Sequence, residues 1–177
     1  PRYVYVLGEV RTPGRYTLRV EKAGYQPWET TSDLQAGQAL VYDEIVLFSS
    51  APIVSAISEP SELERYQKLL DEPQRFQAGL QVLDREVWAE ERFVTRYDKP
   101  INQALWYPGK SHILILIDRE LHAVQATGER DVLLYTLPEG SSASQFVPVS
   151  GGQFLVLTNG GQLQRLEITA ARPLLDL

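Results

Sequence analysis

The sequence contains neither cysteine nor methionine. Without cysteine the chain has no disulfide framework and no thiolate ligand for a metal, although this absence says little about cellular compartment. Because the chain starts at Pro1 without an initiator methionine, we expect a processed or excised piece, with a signal or membrane anchor originally before Pro1. Long apolar runs are also missing, since the longest, Ile113 to Ile117, is far too short to span a bilayer.

An excess of positive charge is absent as well. The chain has 17 Lys and Arg residues against 23 Asp and Glu residues, a net charge of −6, and the basic residues are dispersed. Nucleic acids and anionic lipids select a clustered basic face that replaces counterions. We therefore expect no nucleic-acid partner, and membrane contact only through an N-terminal anchor. A hydrophobic content of 44% is typical of a globular protein of one or two domains.

Histidine is scarce, and this limits catalysis and metal binding. The sequence has two, His112 and His122, whereas a metal site needs further ligands at defined spacing. Ser111, His122 and Asp118 are the residue types of a hydrolase triad, but no nucleophile-elbow motif surrounds a serine. The sequence therefore predicts no catalytic residue, no metal and no cofactor, and we interpret the chain as not an enzyme.

Paired carboxylates and paired glycines have structural interpretations too. Asp43-Glu44 and Glu90-Glu91 are neighbours, so on a strand they would point to opposite faces instead of acting together as a glycosidase pair. Gly151-Gly152 and Gly160-Gly161 lack the Lys-Ser/Thr of a phosphate-binding loop. We predict solvated turn charges at the first two pairs and hairpin turns at the glycines.

The segment Pro13–Trp28 has the clearest strand pattern in the chain. Tyr16, Leu18 and Val20 alternate with polar residues, which predicts a strand with one buried face. Gly24 can adopt the positive φ that a tight reversal needs. The pattern predicts an outward strand, a glycine turn and a return strand.

Read as Pro-Gly-Arg-Tyr-Thr-Leu-Arg-Val-Glu-Lys-Ala-Gly-Tyr-Gln-Pro-Trp, this segment resembles the PEGA domain, a small β-sandwich of bacterial cell-envelope proteins. Ala36-Gly37 would supply the family's next turn and Ile45–Leu47 its final strand. The resemblance covers residues 1–50. It implies a non-catalytic binding or spacing module and names no ligand.

Residues 51–78 differ in character and predict a linker that contains one short helix. Ser61 and Glu64 form a capping-box pattern after Pro60, and Pro73 ends the helical pattern. The apolar residues with helical spacing are Leu63, Tyr66, Leu69 and Leu70. An amphipathic helix packed against a sheet edge explains this stripe better than a partner-binding helix.

The chain repeats itself beyond residue 79. Asp84–Ala89 (DREVWA) recurs as Asp118–Ala123 (DRELHA), a shift of 34 residues. A second echo, at a shift of 40 residues, aligns Trp106–Pro108 and Ile113–Leu116 with Phe146–Pro148 and Gln153–Val156. Repeats of this length, with strands and turns in each, predict β-propeller blades.

The order of residues within a repeat resembles a bacterial β-propeller repeat family, with Trp106–Ser111 before the strand His112–Ile117 and a hairpin turn after it. Residues 79–177 would hold two to three such blades, fewer than the four of a small closed propeller. The combination resembles envelope-anchored PEGA proteins of small-genome bacteria. We therefore predict an all-β chain: a PEGA-like sandwich, a helical linker and a partial propeller.

Seven aromatic residues are candidates for either a core or a ligand-stacking platform, and burial favours the core for most of them. They are Tyr25, Trp28, Tyr42, Trp88, Tyr97, Trp106 and Tyr107. For ligand binding we select Tyr25 and Trp28.

The sequence leaves three functions open. The first is a non-catalytic, extracytoplasmic binding or scaffold module that presents β surfaces to a protein or a cell-wall glycan. The second is a subunit of a larger envelope assembly, completed by partner strands at its exposed sheet edges. The third is a fragment of a surface hydrolase whose active site lies in missing sequence.

Overall fold

The computed structural model describes residues 12–38, 45–141 and 143–169, which form a mostly β structure with one α-helix. The predicted all-β class is confirmed. The elements are β1 (Gly14–Val20), β2 (Trp28–Leu34), β3 (Phe48–Ala56), α1 (Pro60–Asp71), β4 (Leu80–Leu83), β5 (Glu86–Ala89), β6 (Arg92–Arg96), β7 (Gln103–Trp106), β8 (His112–Ile117), β9 (Glu120–Gln125), β10 (Asp131–Thr136), β11 (Ala143–Val149), β12 (Phe154–Asn159) and β13 (Gln162–Thr169).

The strands form four sheets. β1 and β2 make a two-stranded ribbon, β4–β5–β6 make sheet I, and β7–β8–β9–β10 make sheet II. Sheet III has the order β11–β12–β13–β3, so its fourth strand comes from an earlier part of the chain. Paired strands that follow each other along the chain are antiparallel. The chain divides into two compact units, with the boundary after Ala51.

In the first unit a hairpin is present, with Gly14 opposite Leu34 and Val20 opposite Trp28, but its return strand begins only at Trp28, where the predicted segment ends. Gly24 has φ +81° in the connection between the strands. The predicted burial of Tyr16 is wrong, since its ring is exposed at the surface. Its hydroxyl donates a hydrogen bond to the carbonyl of Thr12 at 2.7 Å.

The expected last strand of this region is displaced along the chain. Ile45–Leu47 are not in a strand, and β3 begins at Phe48, where the side chain is buried. Ala36-Gly37 form the predicted turn, with Gly37 at φ +80°. Asp43-Glu44 and Tyr42 lie outside the described residues.

Helix α1 forms where predicted, but it is not capped as predicted. The N-cap is Glu59 and Pro60 is the first helical residue, so Ser61 lies inside the first turn and does not cap it. Proline is well suited to the first position because its missing N–H would have no partner there. The helix ends at Asp71, and a short 3₁₀ helix, Pro73–Phe76, follows.

α1 covers a face of sheet III, so the predicted packing against a sheet edge is wrong. Tyr66 and Leu70 are buried against apolar residues of the sheet. The Tyr66 ring meets the Phe154 ring edge-on at a centroid distance of 6.2 Å. A sheet face offers more apolar area than an edge, and burial of that area stabilises the contact.

Strand β8 of sheet II is buried on both of its faces. In β8, Ile113, Ile115 and Ile117 pack in one cluster with Val87 and Val94 of sheet I. The residues between them point to the opposite face by strand alternation and are equally buried. This double burial explains the uninterrupted apolar run that the sequence shows there.

The opposite face of sheet II lies against sheet III. The backbone N–H of Phe146 donates to Gln103 Oε1 at 2.8 Å, and the Tyr107 hydroxyl donates to the carbonyl of Gly152 at 3.2 Å. The layers of the second unit therefore follow the order sheet I, sheet II, sheet III and α1.

The sequence repeats correspond to equivalent hairpins. Asp84 and Asp118 have φ of 54° and 53°, and each begins the turn that leads into the second strand of a hairpin, β4–β5 or β8–β9. The second echo aligns β7–β8 with β11–β12. The 34-residue shift of the first repeat also separates two residues that join sheets I and II. Arg92 Nη2 donates a hydrogen bond to the carbonyl of Ala126, 34 residues later, at 2.7 Å.

The turn predictions are confirmed for three of the pairs, and the fourth, Asp43-Glu44, lies outside the described residues. Gly160-Gly161 joins β12 to β13 and Glu90-Glu91 joins β5 to β6. The glutamates are exposed with φ of 49° and 65°, a conformation that non-glycine residues rarely adopt. Gly151-Gly152 lies in a 3₁₀ turn, Ser150–Gly152, between β11 and β12.

Candidate binding surface

Sheet I has one face toward sheet II and one face toward solvent, which we call the outer face. Cross-strand partners project from the same side of a sheet. Leu80 opposite Ala89 therefore belongs to the inner face, whereas two rows of paired residues belong to the outer face. The outer-face residues are Gln81, Leu83, Glu86, Trp88, Phe93 and Arg96.

The outer face has an apolar centre. Leu83 is 55% exposed and Phe93 is 47% exposed, while Trp88 is half-buried beside them. The rings of Trp88 and Phe93 meet edge to face, with centroids 5.6 Å apart and an interplanar angle of 76°. Exposed apolar side chains that cluster on one face, unlike scattered ones, mark a site of interaction.

A charged pair lies at one side of this centre. Glu86 accepts a hydrogen bond from Trp88 Nε1 at 3.0 Å and pairs with Arg96 Nε at 3.5 Å. The Glu86 side chain is 26% exposed and the Arg96 side chain is 69% exposed. The glutamate thus fixes the indole in place, and the guanidinium remains open to a partner.

The outer edge strands of sheets I, II and III, which are β6, β10 and β3, are in contrast protected against strand addition. In β6 the extra residue Val94 interrupts the pairing with β5, and in β10 the extra residue Leu134 interrupts the pairing with β9. In β3, Pro52 has no N–H to donate to an added strand. Bulges and prolines at edge strands prevent sheets from extending between molecules.

A polar cluster joins sheets I and II. The Tyr97 hydroxyl donates to Asp131 Oδ2 at 2.8 Å, His122 Nδ1 contacts Asp131 Oδ1 at 2.9 Å, and His122 Nε2 lies 3.4 Å from Glu120 Oε2. Burial raises the pKa of Tyr97, and the charge of Asp131 and its hydrogen bond to the hydroxyl raise it further. Burial alone would lower the pKa of His122, but the bonds and charges of Asp131 and Glu120 outweigh it and raise that pKa.

This cluster is suited to structure and not to catalysis. Carboxylates engage both imidazole nitrogens of His122, so neither nitrogen is open to take a proton from a nucleophile. The Tyr97 ring also packs on the imidazole, with a centroid distance of 5.5 Å. The four side chains therefore fasten the edge of sheet I to sheet II.

The triad types named from the sequence are not brought together. Ser111 Oγ lies 3.1 Å from Nδ1 of His112, and Asp118 pairs with Lys99 Nζ at 3.0 Å. His112 is buried at the start of β8, and desolvation lowers its pKa to about 4. Within the described residues, no group of three His, Asp or Glu side chains has the arrangement of a metal site.

The two aromatic residues selected for binding lie in different environments. Trp28 is 8% exposed, so its ring belongs to the interior of the first unit and is not open for stacking on a ligand. Tyr25 is half-buried and has Lys22 Nζ 4.7 Å from its ring centroid. Its backbone bridges to Ser49.

The other candidate aromatics are mostly structural. Trp106 Nε1 donates to the carbonyl of Ala78 at 3.0 Å, and Trp106 and Tyr107 are buried. Trp88 alone among the described members of the predicted set lies on the exposed outer face. Sequence reasoning missed its neighbours Leu83 and Phe93. No sequence pattern marks them, because Gln81 and Glu86 lie on the same outer face and both faces of these strands carry apolar residues.

Comparison with protein-family models, with curated proteins and with solved structures gave no match. Within the part of the chain that the structure describes, no helix is long and apolar enough to cross a membrane. The outer face of sheet I therefore stands on its own geometry as the candidate site.

Proposed function

We propose that this chain is a non-catalytic binding or scaffold module of the bacterial cell envelope, which presents the outer face of sheet I to a protein. The observation that supports it is the exposed apolar centre of Leu83, Trp88 and Phe93 beside a charged pair. Aromatic residues and arginine are enriched in protein interfaces and contribute much of their binding energy.

A protein suits this face better than a cell-wall glycan. Sugar rings stack on flat aromatic faces, and a polymer would need neighbouring rings close to one plane. The rings of Trp88 and Phe93 are inclined by 76°, so one ring blocks the plane of the other. A ridged surface of this kind fits between the side chains of another protein.

The envelope location rests on the resemblance of residues 1–50 to PEGA domains, and the architecture on the repeats. A propeller blade is a four-stranded antiparallel meander with its first strand near the centre. Sheet II has four strands in meander order, and its first strand, β7, contacts β4 and β11, which are the first strands of the other two repeats. These features support a partial propeller in which β3 completes the third blade.

The two other functions are less well supported. Completion by partner strands would require open sheet edges, yet the bulges of β6 and β10 and Pro52 of β3 obstruct such pairing. A surface hydrolase fragment would show turnover on cell-wall substrates in the assembled full-length protein.

The proposal is tested by capture from a bacterial envelope extract, with identification of the captured protein and rebinding of its purified form. We expect Phe93→Glu to weaken rebinding at least tenfold. Ile53→Glu is the matched control, because Ile53 is 64% exposed on β3 and away from the outer face. Equal affinity of both variants and the wild type would exclude this face, and retention on isolated cell wall alone would favour a glycan ligand.

A further inference from the structure

The layered unit is covered at one end and open at the other. At the sheet III end, α1 buries Tyr66 and Leu70 on the sheet. At the sheet I end, Leu83 and Phe93 of the outer face remain exposed. Stacked repeats need a covering element at each end, since an uncovered terminal face leaves apolar surface in water.

This asymmetry restricts which surface can cover the open end. Head-to-tail stacking of copies would place an outer face on sheet III, but α1 already occupies that face. An outer face can meet an outer face, which gives a closed pair and no filament. We propose that two copies of this chain pair through the outer face of sheet I about a two-fold axis. The inference names a partner for the site of the proposed function and rests on that site.

The charges of the outer face are self-complementary. Glu86 and Arg96 lie opposite each other on adjacent strands, so the face carries one carboxylate and one guanidinium in a single row. In a two-fold interface each contact occurs twice with the roles exchanged. Glu86 of one copy then faces Arg96 of the other at two symmetric places, and no like charges are forced together.

The size of the face predicts a weak complex. Sheet I has three strands of four or five residues, and such a patch measures roughly 10 by 15 Å between its outer strand axes. A stable interface buries about 800 Å² on each partner, and smaller ones belong to transient encounters. We expect a dissociation constant on the order of 0.1–1 mM and rapid exchange.

Sedimentation velocity and ¹H–¹⁵N correlation spectra would test the pairing from about 10 μM to about 1 mM chain, which starts about tenfold below the expected dissociation constants and reaches the upper end of their range. We expect a rise in sedimentation coefficient together with shifts of the sheet I amides, while α1 amides stay constant. Leu83→Lys and Arg96→Glu should each raise the dissociation constant at least tenfold. Ile53→Lys is the control, since it replaces an exposed apolar residue elsewhere with the same charge.

Each outcome decides between the two hypotheses. A monomer at all concentrations, or a dimer that Ile53→Lys weakens as much as Leu83→Lys does, would overturn the pairing. If a monomeric wild type still binds a purified envelope protein and Phe93→Glu abolishes that binding, the proposed function survives and the two-fold pair does not. Amide spectra with unchanged dispersion show that the variants remain folded.

Discussion

At the scale of single residues, His112 links burial to acid sensitivity. Its ring is 4% exposed and packs near Tyr107, and desolvation lowers its pKa to about 4 from the usual 6.5. Below pH 6.5 the unfolded chain binds a proton at this residue, whereas the folded chain does so only near pH 4. Stability therefore falls as the pH decreases through this window.

We predict that, as the pH falls from 6.5 to 4, the contribution of His112 lowers the free energy of unfolding by about 3 kcal/mol. Urea unfolding of the wild type and of His112→Gln at several pH values gives two curves of unfolding free energy against pH. Their difference measures the contribution of His112, because the effects of the carboxylates are the same in both proteins and cancel. The raised pKa of His122 has the opposite sign, since its stabilisation is present below pH 6.5 and is lost as the pH rises. A constant difference between the curves would contradict the assignment.

Gly128 shows where a backbone position accepts only glycine. Its φ is +81°, and a Cβ there would lie 2.4 Å from the carbonyl oxygen of Val94 in sheet I. Backbone atoms cannot move aside as a flexible side chain can. The turn between β9 and β10 can therefore lie this close to β6 only because Gly128 has no Cβ.

We predict that Gly128→Ala lowers the free energy of unfolding by about 3 kcal/mol, as strain and steric overlap combine. Gly140→Ala separates the two effects, because Gly140 has φ +80° and a Cβ added there would meet nothing within 4 Å; this control should lose only about 1 kcal/mol. Chemical denaturation of both variants measures the difference. Equal losses would show that the Val94 contact has no energetic weight.

At the scale of elements, the β5–β6 hairpin carries unfavourable turn residues. Glu90 and Glu91 both have positive φ, 49° and 65°, where Asn-Gly is the preferred pair. The contact of Glu90 with Lys110 at 3.8 Å is exposed on both sides and contributes little. The turn therefore leaves stability to be gained.

We predict that Glu90→Asn combined with Glu91→Gly raises the free energy of unfolding by about 1–2 kcal/mol, because the strain of two left-handed residues is relieved. Thermal and urea unfolding should agree on the gain. Glu91→Val is the converse variant, since a β-branched side chain at positive φ should lower stability. If both variants changed stability in the same direction, backbone strain would not be the cause.

Local sequence patterns predicted the position of helix α1 well, but they predicted its cap and its packing partner poorly. The spacing of Leu63, Tyr66 and Leu70 predicted a helix, and the helix is present. Its cap was missed because Pro60 at the first helical position shifts the N-cap to Glu59, a residue without the usual capping side chain. Its place on a sheet face depends on strands about eighty residues later, which no local window contains.

At the scale of the whole molecule, the sequence could not predict which face of each sheet is covered by another layer. A strand was predicted at His112–Ile117, and the structure shows that both faces of this strand, β8, are covered. In sheet I the neighbours Val87 and Trp88 are both apolar, yet one packs inward and the other lies on the outer face. Alternation cannot rank two apolar faces. Only the order of layers determines which face meets solvent.

The same layering predicts a gradient of local stability across the chain. Ile113–Ile117 of β8 lie between two other sheets with 0–3% exposure, so their amides are expected to exchange only when the whole unit opens. The ribbon of β1 and β2 has two strands and a largely exposed first strand, and two-stranded ribbons are marginally stable.

We predict roughly a hundredfold lower protection of amides in β1 than in β8. Hydrogen exchange followed by NMR measures both in one experiment. If β1 amides were protected as strongly as those of β8, the ribbon would have to unfold together with the sheets, and the hierarchy inferred from burial would be wrong.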